Sequence, residues 1–347
     1  MVAFPAGCGC GRENGGAVHT GRISGKGVAF FMDDIRQARK VLTDVVENVG
    51  KAIIGKRRTI ELVVLAMASG GHVLIEDIPG VGKTSLACAL ARSVDCEFKR
   101  IQFTPDILPS DITGFSIYNS GTGKFEYRPG PVMSNFVLAD EINRTSPKTQ
   151  ASLLEIMEEG CVTVDGVSHP LPQPFMILAT QNPIEYQGTY PLPEAEIDRF
   201  TIRVSLGYPE TEDELRILYN SHCNQAANLS AVASAGDVLM VRKKVLSVHV
   251  SEEVGRYILA VVGATRTGGE FALGASPRAS IMLFQMSQAL ALYRGREFVI
   301  PDDVKFLAPF VLCHRLLPSR GTKASGGKVS EIVDGILAST PAPSLRA

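Results

Sequence analysis

The stretch His72-Val73-Leu74-Ile75-Glu76-Asp77-Ile78-Pro79-Gly80-Val81-Gly82-Lys83-Thr84-Ser85 decides how the rest of the chain is read. Its apolar start follows Gly70-Gly71, which predicts a short buried strand over 72–76. A helix is predicted from Lys83 to about Val94, with a glycine-rich turn between the two. Phosphate oxygens need many hydrogen-bond donors and no steric bulk. Gly80 and Gly82 let backbone N–H groups turn inward, and the helix start adds its positive dipole end. On this reading Asp77, Pro79, Gly80, Val81, Gly82, Lys83, Thr84 and Ser85 form a nucleotide-binding set. Lys83 reaches the β and γ phosphates, and Thr84 offers its hydroxyl to Mg²⁺. The strict phosphate-loop pattern asks for glycine where Asp77 stands. A glycine-rich turn with a structural role only is the alternative.

Working outward, strands predicted over 98–103, 136–140 and 175–180 alternate with helices. Ser146-Pro147 opens one helix with a side-chain cap followed by Pro at the first helical position, and that helix carries Leu153, Leu154 and Met157. Such alternation argues for an α/β fold with a parallel sheet covered on both faces. Upstream, Ile35, Ala38, Leu42, Val45 and Val49 recur at three- and four-residue steps, which predicts a helix from Asp33, and a second helix follows over 57–68. Two β-hairpins interrupt the alternation. One pairs 116–119 with 124–127 around Ser120-Gly121-Thr122-Gly123. The other pairs 161–164 with 167–169 around Asp165-Gly166, a favoured tight-turn pair.

After Gly207-Tyr208-Pro209 the pattern becomes helical. Thr211-Glu212-Asp213-Glu214 fits a capping box, and helices are predicted near 211–223, 236–246, 251–266, 277–294 and 301–313. The expected organisation is a disordered glycine-rich extension over 1–31, an α/β core over 32–209, an all-helical domain over 210–320, and a tail over 321–347.

A length of 347 residues with 45% hydrophobic content suits roughly two domains. Lys and Arg number 35 against 36 Asp and Glu, so the chain lacks the basic excess of a general nucleic-acid binder. No apolar run approaches the ~18 residues of a membrane span. The only apolar cluster near the start, Val28-Ala29-Phe30-Phe31-Met32, is too short for a secretory leader. A cytoplasmic protein is the expectation. Cys88, Cys96, Cys161, Cys223 and Cys313 sit among apolar residues, as reduced thiols do. Cys8 and Cys10 have only His19 nearby, too few ligands for a metal site.

Further residues carry chemistry. The predicted strand Phe136-Val137-Leu138-Ala139-Asp140-Glu141 ends in two carboxylates. Asp140 suits Mg²⁺ held through water at the carboxyl edge of a parallel sheet, and Glu141 suits the polarisation of an attacking water. An acidic strand end is otherwise simply solvated. Asn182 follows the third strand, where its amide can bond an attacking water or a γ-phosphate; a turn before Pro183 is the plainer reading. Arg199 and Arg278 are candidate charge neutralisers. Arg278 follows Ser276-Pro277 at a predicted helix start, where the dipole disfavours a cation, so an anion should compensate. A local ion pair with Asp198 or Glu297 is the alternative for either arginine.

In this order and spacing the motifs resemble the MoxR family of AAA+ ATPases, from about Ile53 to Leu316. The resemblance rests on Arg100-Ile101-Gln102-Phe103-Thr104-Pro105-Asp106, Arg128-Pro129-Gly130-Pro131, Ala139-Asp140-Glu141-Ile142-Asn143-Arg144, Ala179-Thr180-Gln181-Asn182-Pro183, Gly188-Thr189-Tyr190-Pro191-Leu192-Pro193-Glu194-Ala195 and Gly274-Ala275-Ser276-Pro277-Arg278-Ala279. It implies an AAA+ phosphate-loop core with two inserted hairpins and a helical lid, and it accommodates Asp77. It implies sensor roles for Asn182 and Arg278, and for Arg199 the role of an arginine finger that reaches a neighbouring subunit's nucleotide. Whether Arg278 acts on its own subunit or the next is left open. Such proteins form hexameric rings and often act with proteins carrying von Willebrand factor A domains. The expectation is therefore an ATP- and Mg²⁺-dependent motor that remodels partner proteins. A DNA-acting motor and a nucleotide switch without turnover are the alternatives; the balanced charge speaks against the first and Glu141 against the second.

Overall fold

The computed structural model describes residues 25–182, 189–219, 225–319 and 326–343. Along the chain, α1 (Gly25–Ala52) and α2 (Arg57–Ala68) precede β1 (Val73–Glu76), α3 (Lys83–Ser93) and β2 (Phe98–Gln102). The short α4 (Pro109–Thr113) leads into the hairpin β3 (Gly114–Asn119) and β4 (Lys124–Pro129). There follow β5 (Phe136–Asp140), α5 (Pro147–Glu159), the hairpin β6 (Cys161–Val164) and β7 (Val167–Pro170), β8 (Met176–Gln181), α6 (Glu194–Ile197) and β9 (Ile202–Val204). The remainder comprises α7 (Thr211–Tyr219), α8 (Ala235–Ser247), α9 (Glu252–Thr267), β10 (Phe271–Leu273), α10 (Pro277–Tyr293), α11 (Pro301–Leu312), β11 (Leu317–Pro318) and α12 (Gly326–Ser339).

The central sheet runs β2-β5-β8-β1-β9, and every neighbouring pair is parallel. Successive side chains in a strand point to opposite faces, and here they divide between two apolar layers. Val73, Ile75, Phe136, Leu138, Met176 and Leu178 join α1, α2 and α3. Leu74, Val137, Ala139, Ile177 and Ala179 join Leu153, Leu154 and Met157 of α5. Burial on both faces explains why β5 reads as a continuous apolar run. The register sets Glu76 beside Gln181 and Gln102 beside Asp140, so the polar strand ends converge on one edge.

Both expected hairpins form. The β6–β7 turn places Asp165 at φ +51° and Gly166 at +78°, as a two-residue turn between twisted strands requires. Tyr127 of β4 stacks on His169 of β7 with ring centroids 4.0 Å apart, which joins the two inserts. Phe115, Tyr118 and Phe125 stay exposed on the β3–β4 hairpin.

Several boundaries differ from expectation. Helix α1 begins at Gly25, so residues 25–31 are helical rather than part of a disordered extension; residues 1–24, with Cys8, Cys10 and His19, lie outside the described residues. Thr211 is the first residue of α7 rather than a cap outside it, and α7 ends at Tyr219, with 220–224 outside the described residues. The second domain is not wholly helical, because Phe271 and Leu273 pair antiparallel with Pro318 and Leu317, and His249 bridges to Phe298. The tail carries α12, whose Val329, Val333, Ile336 and Leu337 join the main apolar cluster. That cluster runs without a break from α1 into α8, α9, α10 and α11. Among the described residues no helix is long and apolar enough to cross a membrane.

Candidate nucleotide-binding site

The turn between β1 and α3 has the geometry that glycine permits. Gly80 and Gly82 adopt φ of +86° and +94°, the left-handed region that L side chains rarely enter. A Cβ at either would meet nothing within 4 Å, so the requirement is conformational and the space in front of the loop is open. Pro79, Gly80, Val81, Gly82 and Ser85 border a cavity of about 480 Å³, a volume suited to a small-molecule ligand. Its far wall is Ile53, Ile54, Tyr208, Pro209 and Ile217, apolar enough for a flat base. Lys83 and Thr84 stand on the first turn of α3, where Lys83 Nζ donates to the Asp77 carbonyl at 2.8 Å across the loop.

Asp77 does not serve in the expected way. Its buried carboxylate turns from the phosphate loop toward the segment after β9. Oδ2 accepts from Ser205 Oγ at 3.0 Å, Leu206 N at 2.6 Å and Gly207 N at 2.7 Å, and Oδ1 accepts from Ile78 N at 2.9 Å. A carboxylate aimed at phosphate would repel it. Here the charge instead ties the loop to the segment after β9 that leads to Tyr208 and Pro209.

The acidic pair at the end of β5 is held by neighbours on both sides. Thr180 on β8 donates its hydroxyl to Asp140 Oδ1 at 2.6 Å and accepts the Glu141 N–H at 2.9 Å. Glu141 sits at φ +58°, a conformation uncommon outside glycine, and the Thr180 bond helps hold it there. Its Oε2 accepts from Gln102 Nε2 at 2.7 Å and pairs with Arg144 Nε at 3.3 Å. Asp140 Oδ2 accepts from Arg100 Nε at 3.0 Å and Nη2 at 2.5 Å. Thr84 and Asp140 supply the oxygen chemistry that Mg²⁺ takes. Both Asp140 oxygens are engaged by protein donors, so a Mg²⁺ ion there would be reached through water. Among the described residues no group of three or more His, Cys, Asp or Glu could hold a metal ion. Asn182 is buried immediately beyond β8, at the same edge.

Arg199 and Arg278 come together elsewhere. Arg199 Nε donates to Glu158 Oε2 at 3.0 Å, and Arg278 Nη2 donates to Glu158 Oε1. Glu158, near the end of α5, is therefore the anion that compensates Arg278; neither Asp198 nor Glu297 is the partner of either arginine. The Arg199 hydrogen bond and then the Arg278 charge hold the Glu158 carboxyl below its ordinary range, against burial that pushes it up. The pair lines a cavity of about 240 Å³ with Gly70, Gly71 and His72, which precede β1. The phosphate loop follows the other end of β1. Four residues at ~3.3 Å rise separate the two by at least about 13 Å.

Sequence reasoning missed Thr180, Arg100 and Glu158. The first two lie inside stretches that resemble the family, yet nothing in their spacing marks a contact. Glu158 is one of two adjacent glutamates at a helix end and carries no signal of its own.

A profile of the ATPase family associated with various cellular activities (AAA) matches residues 72–202, and one of an AAA lid domain matches 263–336. The chain is 48% identical over 304 residues to the uncharacterized protein YeaC of Bacillus subtilis, across 87% of this chain and 95% of that protein. It is 37% identical over 353 residues to Chaperone MoxR1 of Mycobacterium tuberculosis, across 99% and 93% respectively. A crystal structure of a candidate ATPase from Cytophaga hutchinsonii matches with a TM-score of 0.85 at 37% identity, covering 92% of this chain and all of that one. With a phosphate loop, an acidic strand end, a paired arginine set and a lid in one continuous match, the chain belongs to the MoxR family of AAA+ ATPases.

Proposed function

We propose that this protein hydrolyses ATP at a site completed by a neighbouring copy and uses the cycle to remodel partner proteins. The observation that carries the shared site is the position of Arg199 and Arg278. They lie at the amino end of β1, across the sheet from the phosphate loop of their own subunit. Neither is on the wall of its own nucleotide cavity, which supports action on the next subunit for both. That favours a ring, and the family resemblance favours a hexamer.

In this reading the backbone N–H groups around Gly80 and Gly82 bind phosphate oxygens, and Lys83 exchanges the Asp77 carbonyl for the β and γ phosphates. Thr84 and Asp140 would hold Mg²⁺, which would supply positive charge at the phosphates. Glu141, kept on station by Thr180 and Gln102, accepts hydrogen bonding from the attacking water. Asn182 orients that water or the γ-phosphate. Arg199, with Arg278 beside it, leaves Glu158 to stabilise negative charge on the neighbour's γ-phosphate, a role worth on the order of 10³–10⁵ in rate in related enzymes.

Glu141→Gln is expected to bind ATP normally and lose nearly all turnover in a phosphate-release assay. Full activity in that variant would overturn the assignment. Arg199→Ala is expected to keep binding and lose hydrolysis. The name of the Mycobacterium tuberculosis relative and the exposed Phe115, Tyr118 and Phe125 on the first hairpin support a protein client over nucleic acid. ATPase stimulation by single-stranded DNA would reverse that preference. A von Willebrand factor A domain protein is the proposed partner, on family resemblance, and the cytoplasm the proposed compartment, on the cysteines set among apolar residues as reduced thiols are. Capture of such a protein by the Glu141→Gln variant is the direct test.

A further inference from the structure

Asp198, Ser276 and Arg315 meet at one point between the core and the lid. Asp198 directly precedes Arg199, and Ser276 stands two residues before Arg278 as the N-cap of α10. Both Asp198 oxygens accept from Ser276 Oγ, at 3.0 and 2.8 Å. Arg315, in the turn Cys313–Arg315 after α11, approaches from beneath with its side chain 1% exposed. Nε donates to Asp198 Oδ1 at 2.9 Å, and Nη2 donates to the Asp198 carbonyl at 3.1 Å and to that of Phe200. Nη1 donates to the Thr201 carbonyl at 3.3 Å and to that of Val311. Each of the guanidinium's five N–H groups thus has an acceptor, and four of those bonds clamp the Asp198 carboxylate and the carbonyls of Asp198, Phe200 and Thr201.

We propose that Arg315, acting through Asp198 and Ser276, is the positioning residue that sets Arg199 and Arg278 in register for the neighbouring subunit's nucleotide. The inference rests on the shared-site reading above. Glu158 holds the tips of the two arginines, but their backbones come from segments 79 residues apart, the turn between α6 and β9 and the start of α10. Charge stabilisation in a transition state depends on donors already in place, and small misplacements are expensive. The Asp198 carboxylate joins the two backbones, and Arg315 fixes that carboxylate with a planar fork that lysine cannot reproduce. Burial lowers the Arg315 guanidinium to about 10, with Asp198 opposing, so the clamp stays charged at neutral pH.

Arg315→Lys and Asp198→Asn, each as full-length protein, test the idea by subunit mixing. Either variant alone should bind a fluorescent ATP analogue within about twofold of wild type and lose at least about tenfold in kcat. Mixed with Glu141→Gln, which has an inactive site of its own but an intact arginine pair, each should regain activity several-fold. Destabilisation of the subunit alone would not be repaired this way. Asp198→Asn serves if Arg315→Lys fails to fold, and Ser276→Ala is a third, milder variant. Arg199→Ala mixed with Glu141→Gln is the control. Rescue in the control without rescue of the Arg315 and Asp198 variants overturns the inference and leaves the shared site standing. Unchanged kcat in Asp198→Asn also overturns it. Failure of the control overturns the shared-site reading itself.

Discussion

Replacing Asp77 by glycine would bring the phosphate loop into line with its strict sequence pattern, yet the protein should become less stable. Asp77 Oδ2 accepts from Leu206 N at 2.6 Å, Gly207 N at 2.7 Å and Ser205 Oγ at 3.0 Å, while Oδ1 accepts from Ile78 N at 2.9 Å. The Ser205 hydroxyl can turn to water because Ser205 is exposed, whereas Leu206 is buried and Gly207 half-buried. Three backbone donors, on half-buried Ile78, buried Leu206 and half-buried Gly207, therefore lose a charged acceptor with little access to solvent, at about 1–3 kcal/mol each. Glycine's greater freedom in the unfolded chain adds about 0.5–1 kcal/mol. The total is at least about 3.5 kcal/mol, and since 1 kcal/mol moves Tm by about 2–4 °C in a folding unit of 150–250 residues, Tm should fall by at least about 7 °C. Differential scanning calorimetry of Asp77→Gly measures this directly. ATP affinity should fall too, because Tyr208 and Pro209, just past the clamped segment, line the cavity. A Tm within about 2 °C of wild type would show that the Asp77 carboxylate is not the tie described, since that is below the shift expected for one lost bond.

Thr180→Val keeps the shape of the side chain but removes the hydroxyl that joins Asp140 to the Glu141 N–H; kcat should drop about 10- to 100-fold, as expected when a catalytic group shifts by about an ångström, while nucleotide affinity stays near wild type. Retention of full turnover would remove Thr180 from the site. His72, whose Nδ1 accepts from Ile177 N at 3.0 Å, is pushed down to about 4 by burial, with Arg242 adding and the Met157 carbonyl opposing. The unfolded ring takes a proton near pH 6.5 and the folded one only near pH 4, so His72's contribution is complete above pH 6.5 and about 3 kcal/mol is lost by pH 4. His314, also lowered by burial, acts in the same direction. Denaturation of His72→Gln followed from pH 7 to pH 5 should show a shallower loss of stability than wild type, and an identical slope would refute the assignment.

The limits of the sequence reading follow from how far each signal extends along the chain. Helix α2 coincides with its expected span of 57–68 because apolar spacing is a local property. The β6–β7 turn was legible for the same reason, since Asp165-Gly166 needs no distant partner. Strand β9, only Ile202–Val204, is too short for periodicity to mark. Helix α12 did have a signal, in the three- and four-residue steps of Val329, Val333, Ile336 and Leu337, but the small residues around it read as a tail. β10 and β11 pair across 44 residues, and neither would be a strand alone.

The sequence by itself determined the phosphate loop, the acidic strand end and the order of sheet and helices. Each depends on residues that are contiguous or a few positions apart, where local geometry constrains chemistry. Only the tertiary structure decided what those residues face. Asp77 is matched to donors 128 to 130 residues away, and Arg199 and Arg278 to a glutamate 41 and 120 residues from them. Hydrogen bonds and ion pairs act through space, and no spacing along a chain encodes which distant carboxylate arrives beside which arginine.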